Sequence, residues 1–139
     1  MPLTLRIITP ERIVLEEQVD QVTATAIDGE LSILPGHEPL VTALTMDVLR
    51  YVAGKEDEFV AVMGGILEVK NGEVTVLSDA AEIDREIDHL RANEAKERAL
   101  AEKTQKTDKL DVYVTEMAIG RAMARLKAVE FREQRKRRR

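Results

Sequence analysis

The chain has 139 residues, of which 44% are hydrophobic and only 3% aromatic, and its formal net charge is −5. This length suits one or two small domains with aliphatic cores. The absence of cysteine excludes disulfides and thiolate metal sites, and no apolar run approaches the roughly 18 residues of a membrane span. We therefore expect a soluble protein without a secretory signal.

Charge is distributed unevenly along the chain. Residues 1–78 carry five basic and 13 acidic side chains, whereas residues 79–139 carry 16 basic and 13 acidic ones. The two halves thus have net charges of −8 and +3. Such a difference predicts two modules with different partners.

Short apolar runs separated by turn residues fill the first half. They predict strands near residues 3–8, 13–15, 19–27, 31–34, 40–44, 48–52 and 59–63. Two prolines and a glycine predict a loop at residues 35–39. Asn71-Gly72, between the strand-like segments 66–70 and 73–77, predicts a hairpin because both residues tolerate the positive φ of a type I′ turn. Strands at this spacing indicate an antiparallel sandwich or a flattened barrel.

Alanine and charged residues at helical spacing fill the second half. Asp79-Ala80-Ala81-Glu82 has the spacing of a capping box, which predicts a helix from about this point to residue 104. Thr107 or Asp108 can cap a second helix that runs from about Lys109 to the basic end. The apolar stripe is mostly alanine and buries little area, so the helical hairpin is either a mobile element or a stable surface feature.

The patterns of common catalytic sites are missing. The sequence contains no phosphate-binding glycine-rich loop and no His-Glu-x-x-His, and its two histidines, His37 and His89, are far apart. We therefore predict a protein that is not an enzyme and has no metal site. The six basic groups of residues 132–139 favour a solvated tail over an acidic protein partner, with nucleic acid least favoured because aromatic residues for base stacking are missing.

Four arginines in the second half form the most specific chemical pattern. Asp88 and Arg91 are three residues apart on a predicted helix face, and Arg98 follows two turns later. Arg121 and Arg125 are four residues apart on the second helix. Folding of the hairpin could gather these guanidiniums around a polyphosphate, which suits their fork geometry. The alternative is a set of exposed ion pairs that each contribute only about 0.2–0.5 kcal/mol.

Three segments resemble the epsilon subunit of F-type rotary ATP synthase. They are DGELSILPGHEPL at residues 28–40, MGGILEV at residues 63–69 and VTVL at residues 74–77. The resemblance extends over essentially the whole chain. It implies an α+β protein, with an N-terminal antiparallel ten-stranded β-sandwich at residues 1–80. A C-terminal two-helix antiparallel hairpin with a basic tail would occupy residues 81–139.

The resemblance also implies a place in a complex. The sandwich would dock on the gamma subunit and the ring of c subunits as part of the rotating central stalk, with Asp28, Glu30 and His37 at these contacts. The hairpin would extend toward the alpha and beta subunits and inhibit ATP hydrolysis. The protein would be a monomer in isolation. Through the complex it would be peripheral to the cytoplasmic face of the bacterial cell membrane, in a synthase that transports protons or another cation.

Bacterial members that bind ATP carry Ile/Leu-Asp-x-x-Arg-Ala, and residues 87–92 fit this pattern. Besides the arginines, the resemblance implies residues that contact the adenosine part of the nucleotide. It implies a regulatory site at which ATP is bound but not hydrolysed, and bound ATP would favour the folded hairpin. Its predicted residues are Glu82, Ile87, Asp88, Arg91, Ala92, Arg98, Arg121 and Arg125. Two other functions remain open, namely a freestanding nucleotide sensor and a polyanion-binding module.

Overall fold

The computed structural model describes residues 2–87, 89–105 and 109–137. The strands are β1 (Leu3–Ile8), β2 (Ile13–Val19), β3 (Gln21–Ala26), β4 (Gly29–Ile33), β5 (Leu40–Ala53), β6 (Glu56–Lys70), β7 (Glu73–Leu77) and β8 (Ala81–Ile83). A 3-10 turn (Asp84–Glu86) follows, and then the helices α1 (His89–Gln105) and α2 (Lys109–Arg137). None of the described helices is long and apolar enough to cross a membrane.

The strands form a sheet in the order β2-β1-β7-β6-β5-β3-β4, with β8 also paired to β6. All neighbours are antiparallel except β1 and β7, which run parallel. The predicted hairpin is confirmed, since Asn71 and Gly72 join β6 to β7 with φ angles of 52° and 76°. Alternating side chains of β1 and β7 point into the core, where Leu5, Ile7 and Val74 are fully buried.

Two long strands give the sheet its sandwich form. Pairing between β5 and β6 is interrupted at Thr45 and Gly64, and the register between β3 and β5 also shifts in this region. Gly64 and Gly65 have φ angles of 78° and 120°, which let β6 bend there. The described residues therefore form eight strands, and counting each bent strand as two gives the ten that were expected. The predicted sandwich followed by a helical hairpin is confirmed.

The helical hairpin lies against the sandwich through a second, smaller apolar cluster. Val48 and Phe59 of the sheet pack there with Ala124, Ala128 and other residues. Ala128 has no exposed surface, so α2 approaches the sheet closely where its side chains are small. The expectation of a solvated tail is wrong for the start of the basic segment, because α2 continues to Arg137 and packs its last turns against the sheet.

Candidate functional site

The junction between sheet and hairpin is extended, not helical as predicted. Ala81–Ile83 pair with β6, which places Ile83 opposite Val60. After the 3-10 turn, Ile87 is also extended, with φ −81° and ψ 125°. The capping-box prediction is wrong because pairing buries Ala81 and Ile83 in the core, and this tertiary burial outweighs the local helix preference.

A cavity of about 420 Å³ lies where this junction meets both helices. Its lining comes from β8, the segment after it, α1 and α2, namely Glu82, Glu86, Ile87, Arg91, Ala92, Ala95 and Arg125. Ala92 and Ala95 are one helical turn apart, and their small side chains leave room beside α1. Because the walls belong to the junction and to both helices, the cavity exists only while the hairpin is folded onto the sheet.

Arginines already engage both carboxylates of the cavity. Arg125 Nε donates a hydrogen bond to Glu82 Oε1 at 2.9 Å, and each side chain is roughly one-third exposed. Arg12, in the loop before β2, donates from Nη2 to Glu86 Oε2 at 2.8 Å, and this hydrogen bond raises the pKa of Arg12. The two pairs reduce the negative charge that an anionic ligand in the cavity would meet.

The cavity brings together five of the eight residues predicted to bind ATP. They are Glu82, Ile87, Arg91, Ala92 and Arg125. Arg98 on α1 is exposed and Arg121 on α2 is partly buried, and neither lines the cavity. Asp88 lies outside the described residues.

Sequence reasoning missed three residues at this site. Ala95 follows Arg91 by four residues on α1, so helical spacing alone was enough to find it. Glu86 lines the cavity from the 3-10 turn, which the predicted helix had hidden. Arg12 reaches Glu86 from 74 residues away, and no local pattern signals such a contact.

The three residues predicted for docking are all exposed. Asp28 occupies the turn between β3 and β4, Glu30 lies in β4, and His37 lies in the loop before β5. The His37 N–H donates to the Leu34 carbonyl at 3.1 Å, which closes this loop. Ile27, Leu34 and Val41, which lie near them in sequence, are also exposed, and these six residues are called here the exposed end.

An apolar row crosses the outer face of the sheet. Directly paired residues share a face, and the pairs Ala43–Ile66, Ile66–Leu77, Leu77–Ile8 and Ile8–Ile13 connect five strands. Ile66, Leu77 and Ile13 are each about half exposed. Val41, two residues before Ala43 on the same face, joins this row to the exposed end.

Comparison with known proteins identifies the family of this chain. The beta-sandwich domain of the ATP synthase delta/epsilon chain matches residues 2–84, and the long alpha-helix domain of the same chain matches residues 85–130. The chain belongs to the ATP synthase delta/epsilon family. The family division at residues 84 and 85 coincides with the start of the 3-10 turn.

The sequence similarity to bacterial epsilon chains extends over almost the whole of this delta/epsilon chain. The ATP synthase epsilon chain of Desulforamulus reducens is 47% identical over 126 residues, which are 91% of this chain and 96% of the relative. The epsilon chain of Dehalococcoides mccartyi is 47% identical over 131 residues, or 94% of each chain. The predicted membership of the epsilon subunits is thus confirmed, and the chain is a non-catalytic subunit of the synthase.

A solved structure agrees with this assignment. A chain in the cryo-EM structure of the Euglena gracilis mitochondrial ATP synthase, which includes the c-ring, is similar with a TM-score of 0.78 and 28% identity. The similarity covers 91% of this delta/epsilon chain and 80% of the Euglena chain. The sandwich and the hairpin therefore have the arrangement of an ATP synthase subunit.

Proposed function

We propose that this epsilon-type subunit couples the catalytic head of a proton- or cation-translocating ATP synthase to its c ring and regulates it through nucleotide binding. The sandwich docks on gamma and the c ring in the central stalk. The hairpin inhibits ATP hydrolysis when it extends toward alpha and beta, and ATP in the cavity keeps it folded. The observation that carries the regulatory part is a cavity whose walls belong to both the junction and the hairpin.

The size and lining of the cavity suit a nucleotide. Its volume of about 420 Å³ lies within the roughly 300–1,000 Å³ of small-molecule sites. Ile87 and Ala92 provide an apolar wall for a base, and Glu82 can accept hydrogen bonds from an exocyclic amine. Arg91 and Arg125 provide guanidinium forks for phosphate oxygens.

Arg98 and Arg121 belong to the proposed site as residues that close over the polyphosphate. Arg98 lies on α1, as does Arg91 of the cavity lining, and Arg121 lies on α2, as does Arg125. Asp88 belongs to the proposed site by its place in the ATP-binding pattern. The nucleotide acts as a regulatory ligand that the subunit does not hydrolyse.

Nucleotide binding then favours one posture of the hairpin by mass action. A ligand that binds only the folded hairpin stabilises it by about 2.7 kcal/mol when present at a hundred times its dissociation constant. At low ATP this added stabilisation is lost and the extended posture becomes more accessible, whereas high ATP holds the hairpin away from the catalytic head. The subunit thereby works as a gauge of ATP concentration.

The exposed end and the apolar row support the proposed docking. Asp28, Glu30 and His37 provide polar contacts at the tip for the c ring, and the Euglena relative was solved in a complex that includes a c-ring. The apolar row, with Ile66 and Leu77 at its centre, suits the gamma subunit because contiguous exposed apolar residues mark protein interfaces. Docking makes the subunit peripheral to the cytoplasmic face of the cell membrane. In isolation we expect a monomer.

Calorimetry on the isolated protein tests the nucleotide site. We expect one ATP per chain, and Arg91→Ala or Arg125→Ala should weaken binding at least several-fold, because a charge-assisted contact contributes about 1.5–3 kcal/mol. Arg50→Ala is the matched control, since Arg50 is exposed on β5 and does not line the cavity. Unchanged affinity for ATP in both site variants would refute the assignment of Arg91 and Arg125 to the site. Arg98→Ala and Arg121→Ala measure separately whether the outer arginines close over the ligand.

Truncation tests the inhibitory role. A chain that ends after Ile87 keeps β8, which pairs with β6, and lacks both helices. Assembled with the other subunits, it should hydrolyse ATP faster than the complex with the full chain. An equal rate would mean that this hairpin does not inhibit.

Recovery of partners tests the docking surface. Ile66→Asp changes an exposed side chain in the apolar row and should reduce recovery of gamma, whereas Val114→Asp, equally exposed but on α2, should not. Failure of the unchanged protein to recover gamma, together with ATP binding, would instead favour a freestanding nucleotide sensor.

A further inference from the structure

The last turns of α2 contact the sheet at a place separate from the cavity. Lys127 Nζ lies 2.7 Å from Asp47 Oδ1 on β5. Arg135 Nη1 lies 3.1 Å from Glu58 Oε1 on β6 and also donates to the Asp57 carbonyl. These contacts join basic side chains near the end of the hairpin to acidic side chains on two strands of the sandwich.

Aromatic packing lies between these ion pairs. The rings of Phe131 and Phe59 have centroids 5.4 Å apart and are tilted by 56°. Lys127 Nζ lies 5.6 Å from the centroid of Phe131, within range of a cation–π contact. Since Lys127, Phe131 and Arg135 are spaced four residues apart, they present one stripe of α2 to the sheet.

Arg132 connects this stripe to the junction. Its Nη1 donates to the Asp84 carbonyl at 2.8 Å. Asp84 opens the 3-10 turn that leads to the cavity, but Arg132 itself does not line the cavity. Lys127, Phe131, Arg132 and Arg135, with the sandwich groups that they contact, are called here the C-terminal clasp.

We propose that the C-terminal clasp holds the hairpin against the sandwich in the absence of nucleotide. The clasp pairs basic side chains of α2 with acidic side chains of the sandwich, so its two ion pairs hold opposite charges together across the interface. Arg135 and Glu58 are mostly buried, with side-chain exposures of 18% and 25%, which strengthens the attraction between their charges. The clasp thereby sets a resting preference for the folded posture, and nucleotide binding acts on top of it.

The clasp is built to be reversible. In the part of the chain that the structure describes, Arg132 Nε and Arg135 Nε are buried and make no hydrogen bond. An incompletely satisfied polar network holds less tightly than a complete one. High salt should also open the clasp, because dissolved ions screen the attraction between its charged groups. The Debye length falls from about 10 Å at 0.1 M salt to about 3 Å at 1 M.

The clasp goes beyond the proposed nucleotide regulation and shares none of its described contacts. Its side chains are absent from the lining of the cavity. Experiments on the full chain without nucleotide therefore test the clasp without any contribution from a bound ligand. Loss of ATP binding with an intact clasp would refute only the nucleotide site, and the reverse result would refute only the clasp.

Amide hydrogen exchange on the full chain without nucleotide tests the clasp. Arg135→Gln should speed exchange in residues 121–137 by about tenfold, because it removes a mostly buried charged contact. Lys136→Gln is the matched control, since it removes the same charge one residue away and, among the described residues, Lys136 pairs with Glu133 of its own helix and not with the sandwich. Amides of β1 and β7 report whether the sandwich remains folded.

Lys127→Gln provides a second variant at the other end of the stripe, where about half of the side chain is exposed and its partner Asp47 lies on β5. Exchange in α2 should rise in this variant also, and high salt should accelerate the unchanged protein more than either variant. The proposal is overturned if both variants exchange like Lys136→Gln.

Discussion

Glu82 and Arg125 join the sheet to α2 through one hydrogen bond in the wall of the cavity. A guanidinium has five N–H donors, so Arg125 can keep this bond through Nε and still offer others to a phosphate. The ion pair and the ligand are therefore compatible. This arrangement explains how an acidic residue can belong to a site for an anion.

Gly65 provides a residue-scale prediction about the sandwich. Its φ is 120°, and a Cβ there would lie 2.0 Å from the Leu77 carbonyl oxygen. Gly65→Ala should lower the free energy of unfolding by about 2–4 kcal/mol, because it adds a backbone clash to a strained φ. Gly54 also has a positive φ, but a Cβ added there would have no atom within 4 Å. Gly54→Ala should therefore lower the free energy of unfolding, measured by urea denaturation, by only about 1–2 kcal/mol. Equal losses would contradict the clash.

Asp47 predicts a dependence of stability on pH. Burial raises its pKa, but hydrogen bonds from Lys127 and from the Val48 N–H outweigh burial, and the net pKa lies below the ordinary 3.8. The folded state thus binds this proton less readily than the unfolded state. The contribution of Asp47 is present above about pH 4 and is lost as pH falls through the lowered pKa.

Acid unfolding measures this contribution. Asp47→Asn should be less stable than the unchanged protein at neutral pH, and the difference should shrink below about pH 4. Asp20→Asn is a suitable control, since Asp20 also accepts a hydrogen bond from a backbone N–H, that of Gly54, but does so in an exposed turn. A difference for Asp47→Asn that stays constant with pH would contradict the assignment.

At the scale of elements, α2 depends on small residues for its approach to the sheet. Ala128 is fully buried in the cluster that contains Phe59 and Val48. Ala128→Leu should overpack this interface and destabilise docking of the hairpin by about 1–3 kcal/mol. The sandwich should remain folded because it has its own core. Amide exchange should rise in α2 and remain slow in β1 and β7.

Met123→Leu is the control for this overpacking, because Met123 lies on α2 with about half of its surface exposed. It should leave exchange in α2 unchanged. If Ala128→Leu instead accelerates exchange equally in the sandwich and the hairpin, the two elements unfold together and the hairpin is not a separable unit.

At the scale of the whole molecule, nucleotide binding should protect the hairpin selectively. Saturating ATP should slow amide exchange in α1, α2 and β8, because the cavity is assembled from these elements and the segment between them. The innermost strands β1 and β7 should change little. Arg125→Ala should abolish the protection, and protection that persists in this variant would mean that ATP acts elsewhere.

Much of the fold could be predicted because its signals are local. Alternating apolar residues predict strands, and Asn71-Gly72 predicts a tight hairpin since few other residues adopt its backbone angles. Helical spacing after Lys109 predicts α2 to within a turn. The motif at residues 87–92 is also a local signal, and three of its residues, Ile87, Arg91 and Ala92, line the cavity.

The remaining features depend on contacts between distant residues. Ala81–Ile83 form a strand only because β6 offers an edge for pairing. Arg12 reaches Glu86, and Arg135 reaches Glu58, across separations of more than 70 residues. Composition and resemblance thus determined the family, the sandwich and the hairpin from short-range patterns. The extended junction, the closed cavity and the C-terminal clasp were decided by tertiary packing, because no short-range pattern encodes which distant surfaces meet.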